Sequence, residues 1–227
     1  MVASSSKHED IKRGAPLGLK LYGIVGFVFL CFVALSVYEL FHLKGALESQ
    51  RSGELKHLTE LAVKAVQEEY EAGEKGAISV EEAKSRAAAR VANLRYGQSG
   101  YFWINDLEPR MVMHPTNPAL NGKSLADSKD PDGVQIFVEF VKTVQKNGEG
   151  FVSYSWPKPG SDKPQPKISY VTGFAPWGWV IGSGLYVDDL HQQVWSQAYG
   201  QLTMIGLVLL LSAILVILFV RSIVCSK

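Results

Sequence analysis

Hydrophobic and polar positions fall into distinct regimes along this chain. Leu21 to Tyr38 is an uncharged, mostly apolar run of 18 residues, and Leu202 to Val220 is another of 19. A helix needs about 20 apolar residues to cross a hydrocarbon core of about 30 Å, and every backbone group inside lipid must bond within its own segment. Both runs are therefore expected to be transmembrane helices. The first is expected to remain uncleaved, because Glu39-Leu40-Phe41-His42 follows it in place of a small-x-small cleavage site.

Between the runs the period is first helical. Leu55, Leu58, Leu61, Ala62, Ala65 and Val66 recur at three- and four-residue steps, which predicts a helix over 43–70 with a broad apolar face. Ala72-Gly-Glu-Lys-Gly76 breaks it. Ser79-Val-Glu-Glu82 reads as a capping box opening a second helix to about Leu94. From Gly97 the pattern changes. Gly100 to Asn105 is aromatic and β-branched, a strand, and Met111 to His114 is the strand returning from a turn at Glu108-Pro109. Asp130-Pro131 predicts a helix start, with the helix running to about Lys146. Three strands follow at 150–156, 166–173 and 179–187, with a Pro/Gly-rich loop at 157–165. Asp188-Asp189 suits the N-terminus of a last helix. Five short strands in this order predict an α+β architecture, an antiparallel sheet with helices packed on it.

Charge then sets an orientation. Lys7, Lys12, Arg13 and Lys20 precede the first run, and Arg221 and Lys227 follow the second. Basic flanks stay cytoplasmic. The expected layout is a cytoplasmic N-terminus (1–20), a first span (21–41), an outer domain (42–198), a second span (199–220) and a cytoplasmic tail (221–227). The outer segment carries 17 basic and 19 acidic residues. It has no basic stripe, so nucleic-acid binding is excluded on electrostatic grounds. Its cysteine count is zero, since Cys31 and Cys225 both fall outside it; a disulfide scaffold and a cysteine-bound metal site are excluded.

No enzyme is expected. There is no GxSxG, P-loop, GxGxxG or HExxH, and His42, His57, His114 and His191 are scattered. No metal or cofactor is expected either: Asp127, Asp130 and Asp132 lack the spacing and closing Glu of a calcium loop. What stands out is a density of aromatic and single polar residues on strands. Tyr101, Trp103 and Asn105 share one strand face, as do Tyr154 and Trp156, and Lys167 and Ser169. Small-ligand sites are mostly apolar with a few placed polar groups. Lys167 is either a solvated edge-strand charge or an anchor for an anion. His114 is either a turn or core histidine or a ligand contact. Arg95 either complements the end of the second helix or forms a fork for a carboxylate.

Seven ordered motifs then become recognisable. They are Arg95 to Asp106, Met113-His-Pro115, Asn121-Gly-Lys123, Asp130 to Gly133, Gly150 to Trp156, Lys167 to Tyr170 and Trp177 to Asp189. Together they resemble the single Cache sensor domain of bacterial chemoreceptors (methyl-accepting chemotaxis proteins) and sensor kinases, over roughly residues 45–195. The resemblance implies a PAS-like periplasmic fold with a long N-terminal helix and a five-stranded antiparallel sheet. It implies a pocket for a small organic acid of the acetate, propionate, pyruvate or lactate class. That role is carried onto Arg95, Tyr101, Trp103, His114, Tyr154, Trp156 and Lys167. A two-pass protein of the bacterial inner membrane is expected, homodimeric through the long helix, with a signal passed by helix displacement. Chemoreceptors continue beyond the second span into a signalling region, and only Arg221 to Lys227 follow it here. A truncated receptor, or a sensor acting through a separate signalling partner, is expected on that ground. The other reading is a periplasmic interaction or accessory module without its own output.

Overall fold

The apolar stripe at Leu55, Ala62 and Val66 lies on a helix far longer than the stripe itself. In the computed structural model, which describes residues 17–97 and 99–225, helix α1 runs Leu17–Glu74. Ser79 caps α2 (Val80–Asn93): its side chain accepts from the Glu82 amide at 3.2 Å, and Glu81 and Glu82 occupy the first turn. The strands are β1 (Arg95–Tyr96), β2 (Gly100–Asp106), β3 (Met111–Met113), β4 (Glu149–Pro157), β5 (Pro164–Phe174) and β6 (Trp179–Tyr186). Helix α3 (Ile136–Asn147) precedes β4, and α4 (Val187–Cys225) follows β6 without a break.

All strand pairs are antiparallel, in the order β1-β2-β6-β5-β4, with β3 paired beside β2. The sheet thus has six strands, not the five expected. The extra one, β1, is a two-residue pairing of Arg95 with Tyr101 and Tyr96 with Gly100, too short for an alternation pattern to reveal.

A core lies on each face of the sheet. On one, Ala62 and Val66 of α1 and Ala87 and Val91 of α2 pack against Phe102, Ile104, Phe174, Trp179 and Ile181. Arg86 and Arg90 reach across to the buried Glu69, tying α2 to α1. On the other, Ile136, Phe137, Phe140 and Val141 of α3 pack against Tyr101, Trp103, Tyr154, Val171 and Val180. Each such large side chain contributes about 1.5–3 kcal/mol when fully buried.

Helix α3 starts at Ile136, five residues later than Pro131, where the helix was expected to begin. The reason is Asp130. One carboxylate oxygen accepts the Asp132 and Val134 amides at 3.0 and 2.8 Å, and the other accepts the Ser155 amide at 3.0 Å. The carboxylate therefore holds a loop against β4 and is saturated by amides. Gly148, at φ 80°, terminates α3.

The chain divides into two units, one of Lys44–Ser196 and one of the flanking segments up to Leu43 and from Gln197. Among the described residues, no helix is long and apolar enough to cross a membrane; the two spans expected from hydropathy are not shown by the structure. Several side chains inside both runs fall outside the description. Many of those described are large, apolar and exposed, among them Phe27 at 68 %, Leu30, Leu207, Leu211 and Leu215. Lys7, Lys12, Arg13 and Lys227, used above for orientation, lie outside the described residues, as does the Lys20 side chain.

Candidate functional site

Antiparallel register decides which side chains share a face. Tyr154 of β4 stands opposite Lys167 of β5, and Lys167 opposite Tyr186 of β6. Ser169 stands opposite Gly184, and Trp103 of β2 opposite Gly182. With a side-chain period of two, Tyr101, Trp103, Tyr154, Trp156, Lys167, Ser169 and Tyr186 line one surface. That surface is covered by α3 and by the segment after β3, which carries His114.

Lys167 is at the centre. Its side chain is 1 % exposed. The ammonium donates to the Tyr101 hydroxyl at 2.9 Å. It lies over three aromatic faces, 4.2 Å from the Tyr101 ring centre, 4.9 Å from Tyr186 and 5.4 Å from Trp103. Such contacts are worth about 0.5–2 kcal/mol each, so the three together offset only part of the several kcal/mol an ion loses on leaving water. Among the described residues, no acidic side chain pairs with it. Burial consequently lowers this lysine from 10.5 to about 7.

The surrounding groups are neutral. The Tyr101 phenol is pushed up to about 12, mainly by burial, against hydrogen bonds with Tyr186, Thr116 and Trp156. Tyr154 is raised well above the ordinary phenol value by burial, and its hydroxyl pairs with Ser169 Oγ at 2.9 Å. His114 is lowered to about 3, first by burial and then by the charge of Lys167. Its Nδ1 accepts the Asn117 amide at 3.0 Å, which leaves the imidazole proton on Nε2. The His114 ring lies 5.1 Å from Tyr101 and 5.9 Å from Trp156. Phe140 of α3 stacks 5.2 Å from both Trp103 and Tyr154, closing the wall.

Six of the seven sequence-predicted residues thus come together: Tyr101, Trp103, His114, Tyr154, Trp156 and Lys167. Arg95 does not join them. Its side chain is exposed, and its guanidinium donates to the Ala92 and Leu94 carbonyls at 2.5 and 2.7 Å. It satisfies orphan acceptors at the end of α2.

Three residues of the site went unread, Tyr186, Gly182 and Gly184, and Ser169 was placed on the Lys167 face without a role. Tyr186 supplies a third ring to the ammonium and donates its own proton to the Pro157 carbonyl at 2.8 Å. Ser169 holds Tyr154. Gly182 and Gly184 provide room. A Cβ on Gly182 would strike the Trp103 indole, and one on Gly184 would strike Ser169 Oγ and lie 2.5 Å from Lys167 Cε. The available signal was Gly182, Gly184 and Tyr186 at alternate positions of a strand, where glycine marks close approach.

An open groove of about 520 Å³ lies elsewhere, between α3 and β4, lined by Val134, Glu139, Phe151 and Ser153 among others. It contains no buried charge, and the concentrated electrostatics belong to Lys167. Among the described residues, no group of His, Cys, Asp and Glu could hold a metal ion.

Comparison with known proteins follows the same outline. Residues 47–199 match the family described as Single Cache domain 2. The chain is similar to the methyl-accepting chemotaxis protein McpP of Pseudomonas putida, 38% identical over 93% of this chain and 39% of that protein. It is also similar to the sensor histidine kinase MctS of Rhizobium johnstonii, 31% identical over 78% of this chain and 38% of that protein. The chain therefore spans well under half the length of these relatives. Among solved structures, a periplasmic sensor domain of a chemotaxis protein is 52% identical with a TM-score of 0.60, over 61% of this chain and 96% of that one. A Cache chemosensory domain solved for the structural basis of carboxylic acid recognition is 44% identical with a TM-score of 0.61, over 62% of this chain and 96% of that one.

Proposed function

The chain belongs to the single Cache domain family, and from that premise we propose that it is the sensing part of a chemoreceptor-like protein whose ligand is a small organic carboxylate. One observation carries the reading: the Lys167 ammonium is buried among aromatic rings and, among the described residues, has only a phenol hydroxyl as hydrogen-bond partner. A carboxylate would supply the missing counter-charge through charge-assisted hydrogen bonds. In the proposal Lys167 and the Tyr101 hydroxyl hold the anion, with the Nε2 proton of His114 as a further donor. Trp103, Tyr154 and Trp156 enclose a short apolar tail, which suits acids of the acetate, propionate, pyruvate or lactate class. Arg95 has no part in it. The carboxylic acid recognition described for the 44% identical Cache domain supports the same ligand chemistry.

The runs Leu21–Tyr38 and Leu202–Val220, with their exposed apolar side chains, are proposed to anchor the chain in the inner membrane, with the sensor unit on the periplasmic side and both termini in the cytoplasm. Pairing of two copies through the long helix belongs to the same proposal.

The route of the signal starts at Tyr186. It is the last residue of β6, it faces Lys167, and α4 begins at the next residue. Asp188 and Asp189 in that first turn are held by Lys158 at 2.7 and 2.6 Å. A ligand that moves Tyr186 would load this first turn, to the extent that it binds the two arrangements differently.

The test is titration of the purified full chain with acetate, propionate, pyruvate and lactate, read by thermal shift. A ligand at a hundred times its Kd stabilises by about 2.7 kcal/mol. At least one acid is expected to give a saturable rise, and n-propylamine none. Flat melts with all four acids would refute the reading.

A further inference from the structure

The surroundings of Lys167 have a consequence for how an acid enters. The groups facing it come from every element packed around it. They are Tyr101 and Trp103 of β2, Tyr154 and Trp156 of β4, Tyr186 of β6, and His114 and Thr116 of the segment after β3. Helix α3 contributes Phe137 and Phe140. None is an acid. The acids on neighbouring segments are engaged elsewhere: Glu149 with Lys56, Asp188 and Asp189 with Lys158, and Asp130 with backbone amides. Among the described residues, no negative charge is thus available to hold a proton on the buried amine before a ligand arrives. A carboxylate placed against it would bring that charge.

Building on the carboxylate reading, we propose that the site takes up its acid together with one proton from solvent, so that the sensor responds to pH and acid concentration jointly. The step balances: a neutral amine, one proton and one carboxylate anion become an ammonium–carboxylate pair, and the buried site gains no net charge. Acid binding alone does not require this; an ordinary surface lysine is already charged near neutrality.

The size of the coupling follows from the position of Lys167 near 7 in the free protein. Above that pH the anion must first restore the charged amine, so affinity falls as the protonated fraction falls. Between pH 6 and pH 8 that fraction drops about tenfold. The other group able to accept the proton is His114, which is neutral throughout this window. The experiment must separate the two.

Calorimetric titration of the purified full chain with sodium propionate, at pH 6 and pH 8 in two buffers of different protonation enthalpy, reads the proton directly. Uptake of about 0.9 proton per propionate is expected at pH 8, and about 0.1 at pH 6, with Kd about tenfold weaker at pH 8. In the Lys167→Arg variant the guanidinium stays charged, and its affinity should lose the pH dependence. Lysine labelled with carbon-13 at Cε should show one resonance titrating near pH 7 in the free chain, displaced beyond pH 9 by saturating propionate. Buffer-independent heats with equal Kd at both pH values would overturn the proton coupling and leave acid binding standing. Uptake that persists in Lys167→Arg, with no lysine titrating near neutrality, would move the proton to His114 and overturn it as well. Absence of binding at either pH, with the other three acids also silent, would overturn the functional proposal and this inference together.

Discussion

Replacing Lys167 by methionine removes a charge that the fold holds at a cost. The methionine side chain keeps most of the apolar stem and the volume. Lowering a lysine from 10.5 to about 7 corresponds to roughly 4–5 kcal/mol of destabilisation when the amine is charged. Against this gain, the variant leaves the Tyr101 hydroxyl without the donor it has at 2.9 Å, a loss of about 1 kcal/mol. The net expectation at pH 6 is a variant more stable by about 3 kcal/mol. For a unit of this size that raises the thermal midpoint by roughly 6–12 °C. The sign of the pH dependence follows from the folded value lying below the unfolded one. The penalty is fully present below pH 7 and fades as pH rises towards 10.5, where both states carry a neutral amine. Stability of the wild type, relative to the variant, should therefore climb between pH 7 and 10.5. Thermal melts of both proteins across pH 6–10, without ligand, measure the difference. The same variant should lose all stabilisation by propionate. A Lys167→Met protein that melts at or below the wild type at pH 6, or a difference that does not change with pH, would refute the account of a buried, unpaired ammonium.

Two further outcomes are expected. Gly184→Ala places a methyl group against Ser169 Oγ, Lys167 Cε and the Ile168 carbonyl; destabilisation of about 1–3 kcal/mol and a weakened acid response should follow, whereas Gly53→Ala, with open space around it, should be neutral or stabilising, and equal melts for the two would contradict the packing described. His114 has a folded value near 3, below its ordinary 6.5, so its contribution is complete above pH 6.5 and is lost as pH falls towards 3. Between pH 6.5 and 5 the wild type should lose about 1.6 kcal/mol in all through this residue, the slope steepening as the unfolded imidazole becomes fully protonated, and His114→Gln should flatten that dependence in chemical denaturation.

Much of the fold was legible because periodicity is a local property. The helical stripe at Leu55, Ala62 and Val66, the Ser79 cap and the four longer strands all appear close to where spacing placed them. So do the strand faces: a period of two puts Tyr101 with Trp103, and Lys167 with Ser169, whatever they pack against. One local signal was overridden by a tertiary contact, and at one position a local contact won over the role the resemblance implied. Asp130, an apparent helix cap, spends its carboxylate on the Ser155 amide of β4 as well as on its own loop, and α3 starts later. Arg95, adjacent to Tyr101 in register, turns back to the end of α2 because unsatisfied carbonyls lie within its reach.

The sequence by itself determined which segments are helices and strands, which residues share a face, and to which family the chain resembled a member. It left Lys167 undecided between a solvated charge and an anion anchor. Only the tertiary structure decided that the amine is buried. Its partners come from far along the chain: Tyr101 lies 66 residues away, and the room for its stem is supplied by a glycine on β6. Burial of a charge depends on what other strands bring over it, and on whether any of them brings an opposite charge. No window of local sequence contains that information.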